Sequence, residues 1–381
     1  MSKILEIISK ETKGKSFKSF KYSFEGIEVP TLSYDDHEIT WERYGETEYI
    51  ERSKDLKEEA NKILKIPTIF SYFLDGSRKT FKVDDISYKN QVFPIIAGQI
   101  GVGCCERRNK KLKQCLFNKK LVIALPAVAS QDDWKKDVFF ANLCKEINED
   151  SYLKKNKIFF SDILKYSVKK GEEENLENKG IAVIQDLMIQ TEIDMVTELV
   201  KNKKLNSRNY LLKDGSLEYR VDNFRNNIRE LNTFKNNYKY VIGVSKSFNP
   251  INCHDKNKKN NSNSIAELPL FHRTPVNLYT SPRLSGMKYA VWYLRIRERK
   301  HTYNAFDGIL KIEKILVNEK EQEEGLETEE VDFITANIIN ERNPTCYGND
   351  LRWANHLYPV YMTEMYIKSK YMSNTMFLNL F

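Results

Sequence analysis

Alternating hydrophobic and polar positions mark the first half of the chain as rich in strands. Four consecutive segments have this character, and each is bounded by polar or turn-forming residues: "TIFSYFLD", "RKTFKVDDISYKN", "QVFPIIAGQIGVGCC" and "KKLVIALP". Strands that follow one another with short connections pair most readily as antiparallel neighbours. This region therefore predicts an antiparallel meander.

The second half mixes helical and strand patterns. Helical spacing runs over residues 131–166 and is clearest from Gly180 to Lys201, and a polar helix is predicted at about Asp222–Asn236. Further strands are predicted in "SRNYLLKDGSL", "YKYVIGVSKSF", "KYAVWYLRIRERK" and "FDGILKIEKILV", followed by the acidic exposed link "NEKEQEEGLETEE" and a final helix after Asn349. This order predicts an α/β (α+β) fold with a mixed sheet.

The length and composition suit a globular protein without a membrane span. A polar N-terminal extension over residues 1–66, with a helix at Ser53–Leu64, is expected to precede the main domain at 67–381 and is a candidate docking element for a partner. No apolar run reaches the roughly 20 residues of a membrane helix, and no secretory signal is apparent. Six cysteines without a CxxC pair predict reduced thiols and a cytoplasmic location. The net charge of +8 is compatible with a polyanionic partner.

Two copies of Asp-Gly-Ser supply the first candidate chemistry. Asp75 follows the apolar segment "IFSYFL", and Asp214 follows "YLLK". Asp-Gly between strand-forming segments is a strong hairpin signal, and an acid before a helix can be an N-cap. The alternative is that two strands each deliver a carboxylate to one cleft, with the glycine letting the chain turn away after the acid.

The long helix contains one acid on an apolar face. Glu192 has Met188, Ile189, Met195 and Val196 three and four positions away, and residues at that spacing share a helix face. A lone buried charge is costly, so Glu192 requires a partner. That partner is either a metal ion shared with Asp75 and Asp214, or a buried cation such as Lys246.

Basic residues suggest where a polyanion would bind. Arg295, Arg297 and Arg299 alternate in "YLRIRERK", which on a strand places three guanidinium groups on one face. Such a row suits phosphates, although a solvated strand face paired with acids explains it equally well. Arg283 in "YTSPRLSG" is expected in a loop that can reach the same ligand.

Taken together, the motifs resemble the NurA nuclease family. The resemblance rests on an apolar strand ending "DGSR", the inward glutamate, "LLKDGSL", "VIGVSKSF" and the closing "YPVYMTEMYIKSK", and it spans about residues 68–371. It implies an RNase H-like fold related to Piwi domains, a homodimer, and cleavage of DNA that depends on Mn²⁺ or Mg²⁺. It also implies a hexameric ATPase partner of the HerA type, acting in DNA end processing or in antiphage defence.

The same resemblance assigns site residues. Asp75, Glu192 and Asp214 match the acidic metal ligands of the family, and Lys246 matches its lysine after the third strand. The family commonly carries a histidine in the terminal helix, but here Tyr366 holds that place and His356 lies just before the Tyr-Pro motif. An alternative expectation is therefore a catalytically inactive DNA-binding or assembly subunit of such an ATPase complex.

The last residues, "NTMFLNLF", form a hydrophobic tail. Such a tail either packs within the chain or docks on a partner, since exposed apolar residues favour association.

Overall fold

A computed structural model shows how these segments fold. It describes residues 3–24, 40–88, 90–130, 136–167, 175–219, 228–255, 257–281, 286–344 and 351–381.

The strands in this part of the chain vary from two to nineteen residues. They are β1 (Lys15–Ser16), β2 (Tyr22–Ser23), β3 (Thr40–Tyr44), β4 (Lys54–Asp55), β5 (Phe70–Tyr88), β6 (Gln91–Arg108), β7 (Lys111–Pro126), β8 (Asp162–Tyr166), β9 (Tyr210–Asp214), β10 (Val241–Ser245), β11 (His272–Arg273), β12 (Asn277–Ser281), β13 (Met287–Arg295) and β14 (Ile309–Ile315).

The helices pack on both sides of the strands. They are α1 (Lys3–Thr12), α2 (Lys57–Ile63), α3 (Lys136–Asn148), α4 (Ser151–Lys155), α5 (Leu176–Lys201), α6 (Ile228–Asn237), α7 (Ser262–Ala266), α8 (Glu319–Glu324), α9 (Thr328–Asn340), α10 (Tyr358–Lys368) and α11 (Asn374–Leu378). Short 3-10 helices cover Ala127–Ala129, Pro250–Asn252, Arg299–His301 and Leu351–Asn355.

One mixed sheet forms the centre of the molecule. Its order is β3-β12-β13-β14-β10-β9-β5-β6-β7-β8, and the pairs β10–β9, β9–β5 and β7–β8 are parallel. The remaining neighbours in this order are antiparallel, including the predicted meander β5-β6-β7. The predicted α/β fold with a mixed sheet is confirmed. No helix in the described ranges is long and apolar enough to cross a membrane.

Strand β5 is longer than its sequence suggested. It runs without a turn through Asp75, Gly76 and Ser77, so the Asp-Gly hairpin signal is wrong at this position. Its first part pairs with β9 as far as Leu74, and its last part pairs with β1 and β2 along the same edge. Pairing with β6 on the other edge continues along the whole strand, which keeps the Asp-Gly-Ser segment extended.

Two predicted segments differ from the structure. The stretch 131–166 was expected to be helical, but β8 forms within it because it pairs in parallel with β7 and completes the sheet. The acidic link "NEKEQEEGLETEE" contains α8, whose first turn is closed by a capping box between Asn318 and Glu321. The following helix α9, which is almost wholly buried, was not predicted.

Both ends of the described chain pack against the sheet. Helix α1 buries Ile4, Leu5 and Ile8 in the same hydrophobic cluster as the second half of β5. The C-terminal tail packs within the chain, with Phe377 and Phe381 buried and Phe377 4.7 Å from the ring of Phe81. Strands β1 and β2 pair with β5, and β3 pairs with β12, so the described parts of residues 1–66 belong to the sheet.

Two helices cover opposite faces of the sheet near its middle. Gly98 of β6 lies against Ile184 of α5, whereas Gly101 and Gly103 lie against Ile367 of α10. Because successive residues of a strand point to opposite faces, the even-numbered residues of this part of β6 face α5 and the odd-numbered ones face α10. Strand register then assigns each side chain near Leu74 of β5, and near the ends of β9 and β10, to the α5 face or to the α10 face.

Candidate metal centre

The carboxyl ends of β9 and β10 lie beside α10, at the point where β5 stops pairing with β9. Asp75 follows Leu74, the last β5 residue paired with β9, and Asp214 ends β9 next to Val244 of β10. Lys246 follows the last residue of β10. Asp75 is opposite Gly103, so its side chain is on the α10 face. The sequence prediction that Asp75, Asp214 and Lys246 come together agrees with this arrangement.

Three carboxylates form the centre of this site. One oxygen each from Asp75, Asp214 and Glu364 lies within 4.8 Å of the others. Asp75 is only 5% exposed, and the side chains of Asp214 and Glu364 are 19% and 13% exposed. Two ligand oxygens on opposite sides of a Mg²⁺ ion are about 4.2 Å apart, so the cluster has nearly the dimensions of a single-ion site.

The more exposed Lys368 pairs with Glu364 Oε1, and the buried cation of the cluster is Lys246. Its Nζ lies 2.8 Å from Asp214 Oδ2 and 3.3 Å from Glu364 Oε2. Burial alone would lower the pKa of Lys246, but the carboxylates of Asp214, Asp75 and Glu364 outweigh burial and raise it. The lysine therefore stays charged over the whole physiological range.

The surroundings of Asp75 disfavour its ionised form. Burial, followed by the negative charge of Asp214, raises the pKa of Asp75 well above its ordinary range, and Lys246 only partly opposes this. Counted as ionised, the three carboxylates, Lys246 and the more exposed Lys368, whose Nζ lies 2.7 Å from Glu364 Oε1, leave a net charge of −1. A buried group of like charges of this kind is short of a counter-ion.

Oxygen donors, burial and a remaining negative charge together fit a hard divalent cation such as Mg²⁺ or Mn²⁺. The residues that would hold it are Asp75, Asp214 and Glu364.

Glu192 lies on the other face of the sheet. Lys213 is opposite Leu74 and therefore faces α5, and its Nζ lies 3.0 Å from Glu192 Oε2. Both side chains are almost fully buried. Burial raises the pKa of Glu192, although the ion pair with Lys213 opposes that rise. The buried partner that Glu192 requires is thus Lys213, one residue before Asp214, and Lys246 pairs with the acids on the α10 face.

The turn after Asp214 is held by buried charges. Lys213 Nζ donates to the carbonyl oxygens of Asp214 at 2.8 Å and Ser216 at 3.3 Å. Gly215 has φ +84°, a conformation that favours glycine, so here the chain does turn away after the acid as predicted. Glu313 of β14 accepts hydrogen bonds from Ser216 Oγ at 2.8 Å and the Leu217 amide at 2.6 Å. These contacts fix the backbone that carries Asp214.

The first Asp-Gly-Ser needs its glycine for another reason. A Cβ on Gly76 would lie 2.1 Å from Glu192 Oε1. The glycine therefore makes room for the Glu192–Lys213 pair on the α5 face of the strand. The prediction that this glycine allows a turn is wrong for the first copy of Asp-Gly-Ser.

Gly76→Ala is expected to destabilise the fold by about 1–3 kcal/mol, the usual cost of overpacking a core. The added methyl group would displace the Glu192 carboxylate from Lys213. Urea unfolding of Gly76→Ala measures the cost, and the same substitution in a Glu192→Ala background is the control. Equal costs in the two backgrounds would show that the clash with Glu192 is not the cause.

The predicted row of arginines does not form. Strand β13 ends at Arg295, which is buried and donates to the carbonyl oxygens of Ala266 at 2.8 Å and Ala305 at 3.1 Å. Arg297 is also buried, bonds the carbonyl of Asn343 and lies over the Trp353 ring. Arg299 is exposed in a 3-10 helix.

The alternation that places side chains on one face holds only within a strand, and here the strand has ended. Arg295 and Arg297 hold loops in place instead of forming an exposed phosphate-binding row. Arg283 lies outside the described residues.

The terminal-helix candidates lie apart from the three acids. Tyr366 donates to Gln114 and packs edge-on against Phe117, 5.6 Å between ring centroids. His356 is 2% exposed and stacks on Tyr361 at 4.9 Å. The residue of this helix that joins the acid cluster is Glu364.

Glu364 carried a readable signal in the sequence. Val360 and Ile367, four residues before and three after it, are both buried. This signal is weaker than that of Glu192, whose neighbours three and four positions away are all apolar, because Glu364 has Lys368 four positions on and pairs with it at 2.7 Å. Lys213 and Glu313 carried no comparable signal, because alternation within a strand assigns a face only after its register is known.

Comparisons with known proteins include a similar solved structure. No protein-family model matches the chain, and no curated protein matches it. Among solved structures, the chain is similar to the crystal structure of the NurA nuclease from Sulfolobus solfataricus. The identity is 12%, the match covers 82% of this chain and 85% of that chain, and the TM-score is 0.41.

Proposed function

We propose that this chain is a metal-dependent nuclease that hydrolyses phosphodiester bonds of DNA. The observation that supports it is the buried group of Asp75, Asp214 and Glu364 with Lys246 beside it. Carboxylates that surround a divalent ion next to a fixed ammonium group suit a substrate whose reacting centre is anionic. The resemblance of the sequence motifs to a nuclease family points to the same chemistry.

The metal would supply charge neutralisation at the phosphate and a lowered pKa for the attacking water. Asp75, Asp214 and Glu364 would hold it. Their carboxylates also keep the lysine charged and oriented, because Lys246 donates to two of them. Lys246 is thus placed to donate to a phosphate oxygen as negative charge builds up there.

The surrounding residues maintain this geometry. Lys213 donates to the carbonyl oxygen of Asp214, and Glu313 accepts a hydrogen bond from the Leu217 amide, so both hold the turn after Asp214. Residues that hold ligands in place commonly matter nearly as much as the ligands. We propose that Lys213 and Glu313 serve this positioning role, and that the predicted metal ligand Glu192 acts at least as the counter-ion of Lys213.

The alternative function is a DNA-binding or assembly subunit without catalysis. The observation in its favour is that Lys246 already pairs with Asp214 and Glu364, as a lysine would if it replaced a metal ion. Tyr366 at the position where the resembling family carries histidine points the same way. Three acids facing Lys246 and the more exposed Lys368 oppose it, since the charge is only partly neutralised.

A cleavage assay separates the two functions. Purified chain is incubated with linear single- and double-stranded DNA and Mn²⁺, Mg²⁺ or EDTA. We expect degradation with a divalent ion and none with EDTA. Asp194→Asn, which changes an exposed acid of α5, is the control and should cleave normally. DNA binding without cleavage under every condition, including in the presence of a HerA-type ATPase and ATP, would support the non-catalytic subunit.

The partners follow from the resemblance and the net charge. We propose that the substrate is DNA, that the chain works as a homodimer, and that a HerA-type hexameric ATPase delivers the DNA to it. A cytoplasmic role in end processing or antiphage defence fits this assembly. Light scattering of the purified chain, alone and mixed with the ATPase, tests both associations.

A further inference from the structure

Two thiols meet on the α5 face of the sheet. Cys104 of β6 and Cys115 of β7 are neighbours across the β6–β7 pair, and the Cys104 thiol donates to the Cys105 carbonyl oxygen at 3.7 Å. The register runs from Cys104 opposite Leu116 to Cys105 opposite Gln114. Cys115 is therefore the extra residue of a β-bulge, opposite the step between Cys104 and Cys105.

The two thiols differ in their access to solvent. Cys104 is 1% exposed, whereas Cys115 is partly exposed. Cys115 lines a cavity of about 310 Å³ together with Arg108, Lys113 and Lys204. A small reagent can therefore approach Cys115 from solvent, through basic surroundings, with Cys104 directly behind it.

The surroundings also favour the thiolate of Cys115. The neighbouring Cys104 thiol and the positive charges of Lys204 and Arg108 lower the pKa of Cys115 to about 7, against burial and the charge of Glu106. The interaction with Cys115, together with burial, raises the pKa of Cys104. Cys115 is thus suited to attack an oxidant, and Cys104 is suited to remain a thiol until Cys115 has been oxidised.

We propose that Cys104 and Cys115 form a reversible disulfide, with Cys115 as the peroxide-reactive cysteine and Cys104 as the resolving one. The Cys115 thiolate attacks one oxygen of a hydroperoxide. The O–O bond breaks, and the other oxygen leaves with a proton as water or an alcohol. Cys115 becomes a sulfenic acid. The Cys104 sulfur then attacks Cys115 Sγ, the S–O bond breaks, and water leaves with the thiol proton.

The geometry allows this bond with little movement. Directly opposite residues of antiparallel strands have Cα atoms about 4.5–5.5 Å apart, and Cys115 is one position from Leu116, the residue opposite Cys104. Disulfides accept Cα separations of up to about 6.8 Å. The bulge gives the backbone at Cys115 freedom that a regular ladder lacks. Formation of the disulfide is expected to draw the Cys115 bulge towards β6. The proposal concerns thiol chemistry and stands whether or not the chain cleaves DNA.

Peptide mapping after peroxide treatment tests it. The folded chain is treated with hydrogen peroxide, remaining thiols are blocked with iodoacetamide, and the chain is unfolded and digested with trypsin. Cleavage gives peptide 90–107, which contains Cys104 and Cys105, and peptide 114–119, which contains Cys115. We expect these two peptides linked and lacking two hydrogens, and separated again by dithiothreitol.

Three variants identify the sulfurs. Cys105→Ser should still form the linked pair. Cys104→Ser should stop at the Cys115 sulfenic acid, which dimedone traps. Cys115→Ser should leave Cys104 reduced. The proposal is overturned if the link persists in Cys104→Ser, or if peroxide oxidises the buried Cys144 and Cys253 of wild-type protein before it links the two peptides.

Discussion

Asp75→Asn is expected to abolish DNA cleavage and, without metal, to make the fold more stable. Asp75 is buried among Asp214 and Glu364, so its charge costs free energy in the folded chain. Asparagine keeps the shape and removes that charge. The loss of a carboxylate that would hold the metal should lower the cleavage rate by at least about 100-fold, the upper end of what loss of a supporting residue costs.

The direction of the stability change follows from the sign of the pKa shift. The pKa of Asp75 is raised in the folded chain. The folded state therefore holds a proton that the unfolded state releases as pH rises above the ordinary aspartate range. Stability declines from there until pH passes the raised pKa. Asp75→Asn should lack this decline, so its advantage in melting temperature should be larger at pH 7 than at pH 4.

Thermal melts with EDTA and with Mn²⁺ provide the measurement. Wild-type protein should gain stability from Mn²⁺, since an ion that binds only the folded state raises the melting temperature. Asp75→Asn should gain much less, while Asp194→Asn should behave as wild type. Wild-type cleavage by Asp75→Asn, or an undiminished response to Mn²⁺, would contradict the assignment of the site.

Sequence reasoning found the parts of the site that depend on single strands. Asp75 directly follows an apolar segment, and one polar residue, Lys213 or Ser245, separates Asp214 and Lys246 from theirs. The ends of neighbouring parallel strands must lie close together. The helix analysis also found that Glu192 is buried. The helix analysis could not show on which face of the sheet Glu192 lies, since that depends on which residue of β9 is opposite Leu74.

The remaining errors share one cause, which is that tertiary contacts outweigh local signals. Asp-Gly at residue 75 is a turn signal in isolation, yet β6 pairs with every part of β5 and keeps it extended. The alternating arginines looked like a strand face, yet the sheet ends at Arg295. Glu364 lies 150 residues beyond Asp214 (364 − 214), and only the folded chain brings them together.

Lys213→Met is expected to destabilise the fold by about 3–5 kcal/mol, the cost of leaving a buried charge without its partner. Glu192 would lose its ion pair, and the carbonyl oxygens of Asp214 and Ser216 would lose a donor. Lys239→Met, at a position near the surface after α6, is the control. Urea unfolding of the two variants measures the difference.

A double variant separates the two losses. Glu192→Leu combined with Lys213→Met removes both buried charges, so most of the stability should return. The stability that the double variant does not recover measures the hydrogen bonds that Lys213 donates to the turn after Asp214. A double variant no more stable than Lys213→Met alone would show that the ion pair is not what the lysine contributes.

Glu192→Gln tests the remaining prediction that Glu192 binds metal. If its role is confined to the pair with Lys213, the gain in melting temperature with Mn²⁺ should persist in this variant. A lost response to Mn²⁺ would instead show that Glu192 reaches the ion.

The order in which the acids appear along the chain has a consequence for synthesis. Asp75 and Asp214 are translated well before α10, which carries Glu364. A nascent chain that has formed β5, β9 and β10 therefore has two of the three carboxylates and the lysine, but no complete cluster. Contacts this distant in sequence also form late in folding. In the proposed nuclease, the metal cluster would therefore be incomplete until α10 has been synthesised and has packed against the sheet.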